Sequence, residues 1–171
     1  MHEILILYVL LGGQNTMYGI AKTLSKGFAH ITNPSYGTLQ PALKRLEKKE
    51  CIKGDLFYTD GGKPYIYYSI TSKGKEFLVA KLKSKLPKNP VQLIPELKIK
   101  LMCSDILSPQ EKNEILKNVK TDILKLYSIT DNILNSERYS NNPQARLVLN
   151  STACEYKNIL DLTERILKCP Q

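Results

Sequence analysis

The feature that most constrains this chain is a change of hydrophobic period near residue 51. Before it, apolar residues recur at helical spacing. After it, Ile52 to Phe57 and Tyr65 to Ile70 form two short runs rich in aromatic and β-branched side chains. The string between them, Thr59-Asp60-Gly61-Gly62-Lys63-Pro64, is turn-forming, so the pair reads as a β-hairpin.

Helices flank that hairpin. Ile4 to Leu11 is continuously apolar, which at the start of a chain fits a short buried helix better than a strand with nothing to pair with. Gly12 to Asn15 stops it. Thr16 can N-cap a second helix carrying Met17, Ile20, Ala21 and Leu24 on one face and ending at Gly27. A third begins near Asn33-Pro34, shows Leu39, Ala42, Leu43 and Leu46 as its apolar face, and runs to about Lys49. Beyond the hairpin, Thr71 or Ser72 caps a helix through Phe77, Leu78 and Leu82. This is the element order of a winged helix-turn-helix. The expected fold class is mainly α with a small β-hairpin (α+β), with a DNA-binding domain at 1–85 and a helical dimerisation domain at 86–171.

The second half opens on Pro87, Pro90 and Pro95, read as a hinge or a broken helix, followed by a short apolar helix from Leu97 to Leu107. Ser108-Pro109-Gln110-Glu111 is a capping box with proline at the first helical position. The helix behind it repeats Leu116, Val119, Ile123, Leu126 and Ile133 in a heptad-like seam, with Thr130 in the missing slot. Another, from Asn142-Pro143, aligns Leu149, Ala153, Tyr156, Leu160 and Leu167. Two amphipathic helices alone bury a wide stripe poorly. Leu116, Val119, Ile123, Leu126, Ile133, Leu149, Tyr156 and Leu160 are therefore expected to meet a second copy, with packing onto the first domain of the same chain as the alternative.

Charge separates the halves. The chain carries 25 basic and 16 acidic side chains, net +9. Residues 1–85 hold 13 basic and 6 acidic of these, against 12 and 10 in residues 86–171. A basic first half suits a polyanionic partner. The opening apolar run is far shorter than the roughly 20 residues of a membrane helix, and it has neither the basic lead nor the cleavage site of a signal peptide. The cysteines (Cys51, Cys103, Cys154, Cys169) are scattered, and His2 and His30 are the only histidines, so no metal or cofactor is expected. A cytoplasmic protein with reduced thiols is the expectation. Phosphate-loop, dinucleotide and nucleophile-elbow motifs are all missing, which argues against an enzyme.

On the third helix, Ser35, Tyr36, Thr38, Gln40, Lys44, Arg45 and Lys48 are side-chain types that reach base edges and phosphates from a major groove. Gln40 is the best reader, because its amide can pair with adenine through two hydrogen bonds. Lys44, Arg45 and Lys48 suit phosphate. Gly61, Gly62 and Lys63 have the make-up of a wing tip, and Tyr65 is a candidate phosphate or sugar contact against plain strand packing. Lys73, Lys75, Lys81, Lys83 and Lys85 add long-range attraction without specificity.

The stretch from Pro34 to Glu47, PSYGTLQPALKRLE, closely resembles the recognition-helix signature of PadR-type transcriptional regulators. Gly61-Gly62-Lys63-Pro64, followed by Tyr67 to Thr71 and Lys73-Gly74, is similar to that family's wing and next helix. Leu97 to Glu111 resembles, more loosely, members with a long helical C-terminal domain. The resemblance implies a dimeric winged-helix repressor that pairs through its C-terminal helices and is often released from DNA by a small molecule. A two-fold dimer would make the operator in double-stranded DNA a pseudo-palindrome. This chain departs from the pattern in several places. Gln40 precedes Pro41 where an aromatic is usual, and Glu50 replaces the glycine that ends the recognition helix. Tyr65-Ile66 replaces a basic pair, Met17-Tyr18-Gly19 stands at the start of the second helix, and no tryptophan is present. Either a left-handed cap at Glu50 is strained by about 1 kcal/mol or the turn differs there. The rival reading is a winged-helix protein-interaction adaptor, with RNA binding third.

Overall fold

The computed structural model describes residues 1–168; Cys169 lies outside them. Two compact units emerge, Met1–Leu107 and Ser108–Gln171. The division falls well beyond the expected boundary at residue 85.

The first unit is built on α1 (His2–Leu11), which buries Ile4, Leu5, Ile6, Leu7 and Leu10. That explains its unbroken apolar run: helices and sheet pack around it, so it has no solvent face to vary. β1 (Asn15–Thr16) follows, then α2 (Met17–Gly27) and α3 (Tyr36–Lys48). The hairpin is β2 (Ile52–Tyr58) and β3 (Pro64–Ile70), and α4 (Ser72–Lys83) leads out of it. The caps expected at Thr16 and Thr71 form, whereas α3 starts two residues past Pro34 with Ser35, not Asn33, at its N-cap and no side-chain cap bond. Thr16 Oγ1 accepts from the Gly19 amide at 3.1 Å, and Thr71 Oγ1 from the Gly74 amide at 3.0 Å.

The hairpin is part of a three-stranded antiparallel sheet ordered β1-β3-β2. Its extra strand comes from the segment read only as a helix stop: Asn15 pairs with Tyr68 and Thr16 with Tyr67. Gly74 explains how α4 lies so tightly on the sheet. A Cβ there would stand 2.0 Å from the Cys51 carbonyl oxygen, so only glycine fits.

Glu50 adopts φ 58, the left-handed conformation expected of the glycine it replaces. Its neighbours hold it there. The Thr71 hydroxyl donates to its carbonyl at 2.7 Å, and Lys73 Nζ lies 2.7 Å from its carboxylate, holding that carboxyl below the usual range. Glu50→Gly should raise the thermal midpoint by a few degrees, read by calorimetry. It relieves the backbone strain and gives up only an exposed ion pair of little worth.

The proline-rich segment is more regular than a hinge. Pro90 opens α5 (Pro90–Met102), with the Asn89 side chain accepting from the Val91 amide, and Pro95 is accommodated inside the helix. A 3-10 turn, Ser104–Ile106, replaces the end of the expected helix through Leu107. Lys100 of α5 is 2% exposed. Its ammonium donates to the Ser84 carbonyl and, at 3.0 Å, to the Ser84 hydroxyl, with Glu96 at 3.6 Å. Burial lowers its pKa, and this buried cation ties α5 to the end of α4.

The second unit is a helical hairpin of α6 (Pro109–Leu134) and α7 (Pro143–Lys168). Ser108 and Glu111 form the expected capping box. Leu116, Val119, Ile123 and Thr130 are buried on α6, and Ala153, Tyr156, Ile159 and Thr163 on α7, where the two helices pack on each other. Lys120 and Glu164 bridge them at 2.8 Å. Much of the seam assigned to a second copy is thus used within one chain: Leu116, Val119, Ile123 and Tyr156 are buried, while Leu126, Ile133, Leu149 and Leu160 are half-buried.

Candidate nucleic-acid interface

α2 and α3 are joined by a tight turn in which Ile31 and Thr32 both donate backbone bonds to the Phe28 carbonyl. Phe28 is buried and meets the Tyr8 ring edge-on at 6.4 Å. α3 buries Leu39, Ala42, Leu43 and Leu46, which sets its rotation. The opposite line presents Gly37, Pro41, Lys44 and Lys48, with Gln40 beside it, all exposed. Gly37 and Pro41 keep the front of the helix low, so its backbone can come close to a partner.

The structure divides the cations of this helix into two sets. Lys44 and Lys48 face outward and make no ion pair among the described residues. Arg45 and Lys49 turn back to α1, each 3.4 Å from Glu3 Oε1, and Lys49 Nζ also sits 4.7 Å from the centre of the Phe77 ring. Arg45, expected at phosphate, is held in place by an intramolecular partner. Ser35 and Thr38 are also engaged locally: their hydroxyls hydrogen-bond each other at 3.1 Å.

The wing turn is closed by Thr59. Its carbonyl accepts from the Gly62 amide at 2.8 Å and its hydroxyl from the Lys63 amide at 3.1 Å, while Gly62 takes φ 74, a glycine conformation. Gly61, Gly62 and Lys63 are exposed at the tip. Tyr65 is half-buried, stacked on Phe57 at 5.9 Å and edge-on to Tyr67 at 5.5 Å, so it packs within the hairpin.

An open groove of about 700 Å³ brings Gln40 together with Lys63 and Tyr65 to Tyr68 of the wing, and with Thr16, Met17 and Tyr18 at the start of α2. A shallower hollow of about 290 Å³ is lined by Tyr18, Lys22, Ser25, Ser35 and Tyr36, among others. Tyr18 is 65% exposed and belongs to both. Sequence reasoning passed over Tyr18 and Lys22. The available signal was their place on α2, opposite the buried Ile20 and Leu24.

Elsewhere the chemistry is sparse. Among the described residues no cluster of His, Cys, Asp or Glu is arranged to hold a metal, and no helix is long and apolar enough to cross a membrane. Cys51 and Cys103 are buried, and burial pushes the Cys103 thiol up to about 12.

A helix-turn-helix beside a three-stranded sheet, with Lys44 and Lys48 on the outward face of its second helix, defines the winged-helix class. The sequence model of the PadR-like transcriptional regulator family matches residues 6–80. A PadR family transcription regulator from Clostridium difficile is 34% identical over 47% of this chain and 81% of its own, with a TM-score of 0.41. The chain belongs to the PadR-like family of transcriptional regulators, a family of regulators rather than enzymes. Bacillus subtilis PadR, solved in complex with operator DNA, is 21% identical over 96% of both chains, with a TM-score of 0.48. A Streptococcus mutans protein is 19% identical over 98% of both, at 0.46. Comparison with curated proteins gave no match.

Proposed function

We propose that this regulator is a homodimeric repressor that binds double-stranded DNA at a pseudo-palindromic operator, laying α3 in the major groove. The observation that carries the reading is the pairing pattern on α3. Lys44 and Lys48 stand outward beside Gln40 with no ion pair among the described residues, and Gln40 shares a groove with Lys63 of the wing. Gln40 reads a base edge, while Lys44, Lys48 and Lys63 hold phosphate. Tyr18 and Lys22 extend the same surface along α2. The Bacillus subtilis relative was solved with operator DNA, which supports the same class of partner.

For the dimer, the support is the apolar surface left over once the α6–α7 seam has closed. Leu147, Val148 and Leu162 of α7 are 69%, 66% and 41% exposed, and Leu124 and Ile129 of α6 are exposed as well. A two-fold pair would address half-sites about one helical turn apart, roughly 34–36 Å. Release by a small-molecule effector rests on the family resemblance alone.

The experiment is selection of fragmented genomic DNA by the purified protein near physiological salt, followed by sequencing. Enrichment of a pseudo-palindrome is the expected result. A folded, dimeric protein that enriches nothing would overturn the reading in favour of a protein-interaction adaptor.

A further inference from the structure

Four cations crowd the end of α3 and its cap: Lys44, Arg45, Lys48 and Lys49. Arg45 and Lys49 each stand one position past an outward lysine, about 100° round the helix. Both are accessible, with 56% and 44% of their side chains exposed. An anionic partner that meets Lys44 and Lys48 is therefore within their range as well, unless something holds them back.

The carboxylates around α3 settle which cations are free. Glu50 is taken by Lys73 at 2.7 Å. Glu47 faces the hairpin, where a Cβ on Gly54 would stand 2.8 Å from its Oε1. Glu3 is the third, in the first turn of α1, where the free amides of a helix start favour a carboxylate. Only 17% of its side chain is exposed, and its Oε1 meets Arg45 Nε and Lys49 Nζ, each at 3.4 Å. Lys49 has a second hold, 4.7 Å over the Phe77 ring. Exposed ion pairs add little to stability, and α1 is already anchored by its five buried apolar side chains, so the fold does not require this cluster.

Resting on the DNA-binding reading above, we infer that Glu3 is a positioning residue that lowers affinity by keeping Arg45 off the phosphate backbone. α3 then meets DNA with Lys44 and Lys48. Moving Arg45 onto a phosphate would strip the little-exposed Glu3 carboxylate of one partner beside a polyanion, so the exchange gains little. With Glu3 neutral, Arg45 becomes a further phosphate contact in each protomer, while Lys49 stays over Phe77. The added hold is independent of sequence, because it is made to phosphate.

The test is fluorescence anisotropy with the full chain across a salt series, using one labelled duplex of the selected sequence and one of random sequence. Glu3→Gln should bind both roughly tenfold more tightly near physiological salt. Its slope of log affinity against log salt should steepen by about 0.9 for each protomer engaged. Adding Arg45→Ala to Glu3→Gln should restore the parent's slope. Glu76→Gln, the same charge change on the exposed side of α4, should leave the slope alone. Glu3→Asp, one methylene shorter, should shift it as Glu3→Gln does but by less, and unchanged thermal unfolding verifies each fold. A Glu3→Gln slope equal to the parent's, or one matched by Glu76→Gln, overturns the inference. A shallower slope also overturns it, since Glu3 would then aim Arg45 at phosphate. These outcomes leave the DNA reading standing, whereas a parent that binds neither duplex overturns both.

Discussion

Ile123→Asp should unfold the second unit. Ile123 is fully buried, on the same face of α6 as Leu116, Val119 and Thr130. A carboxylate at that position would be taken out of water, and burying an unpaired charge costs about 4 kcal/mol or more. A helical hairpin of this size has little core to absorb such a loss. Circular dichroism should show helix content falling by much of what α6 and α7 contribute. Leu162→Asp should behave differently. Leu162 is 41% exposed and shares the outward side of α7 with Val148 about four turns away, so the charge stays in water and folding is spared. The expected product is a folded monomer by sedimentation. A fully helical, dimeric Leu162→Asp variant would remove the proposed interface.

The contrast between those two positions shows what a hydrophobic pattern records. Heptad spacing located the apolar face of α6 correctly, because spacing dictates which residues share a face. It could not say whether that face meets α7 or another chain, since both partners make the same demand on side-chain type. Caps were legible at Thr16, Thr71 and Ser108 because each bond is made within three residues. Glu50 was legible only through the family resemblance, which puts a helix-ending glycine at that position, and its φ of 58 keeps that conformation.

What sequence did not show was settled over distance. β1 is two residues long, too short for alternation to register, and exists through its pairing with β3. Pro90 and Pro95 were read as breaks, although proline at the first helical position starts a helix as readily as it ends one. The buried Lys100 that joins α5 to Ser84 looked like any surface lysine. The exposure of Gln40, Lys44 and Lys48 was legible from the apolar spacing of α3. The pairing of Arg45 was not, because it depends on Glu3, 42 residues away.

That division of the α3 cations sets the expected size of the remaining effect. Gln40→Ala should relax preference at one base position in each half-site, because an amide paired to adenine contributes about 1–3 kcal/mol of discrimination. Lys44→Ala should weaken all sequences alike and make the salt slope shallower by about 1 per half-site. A two-fold dimer counts each loss twice. The double variant should therefore lose roughly a thousandfold or more in specific affinity while keeping its fold, since both side chains are exposed. Arg45→Ala supplies the contrast within the same helix. Its guanidinium is held by Glu3, so removing it should leave the salt slope unchanged and lower thermal stability only slightly. Equal slope changes for Lys44→Ala and Arg45→Ala would mean that Arg45 leaves Glu3 when DNA binds. The recognition surface would then be wider than the unbound protein shows.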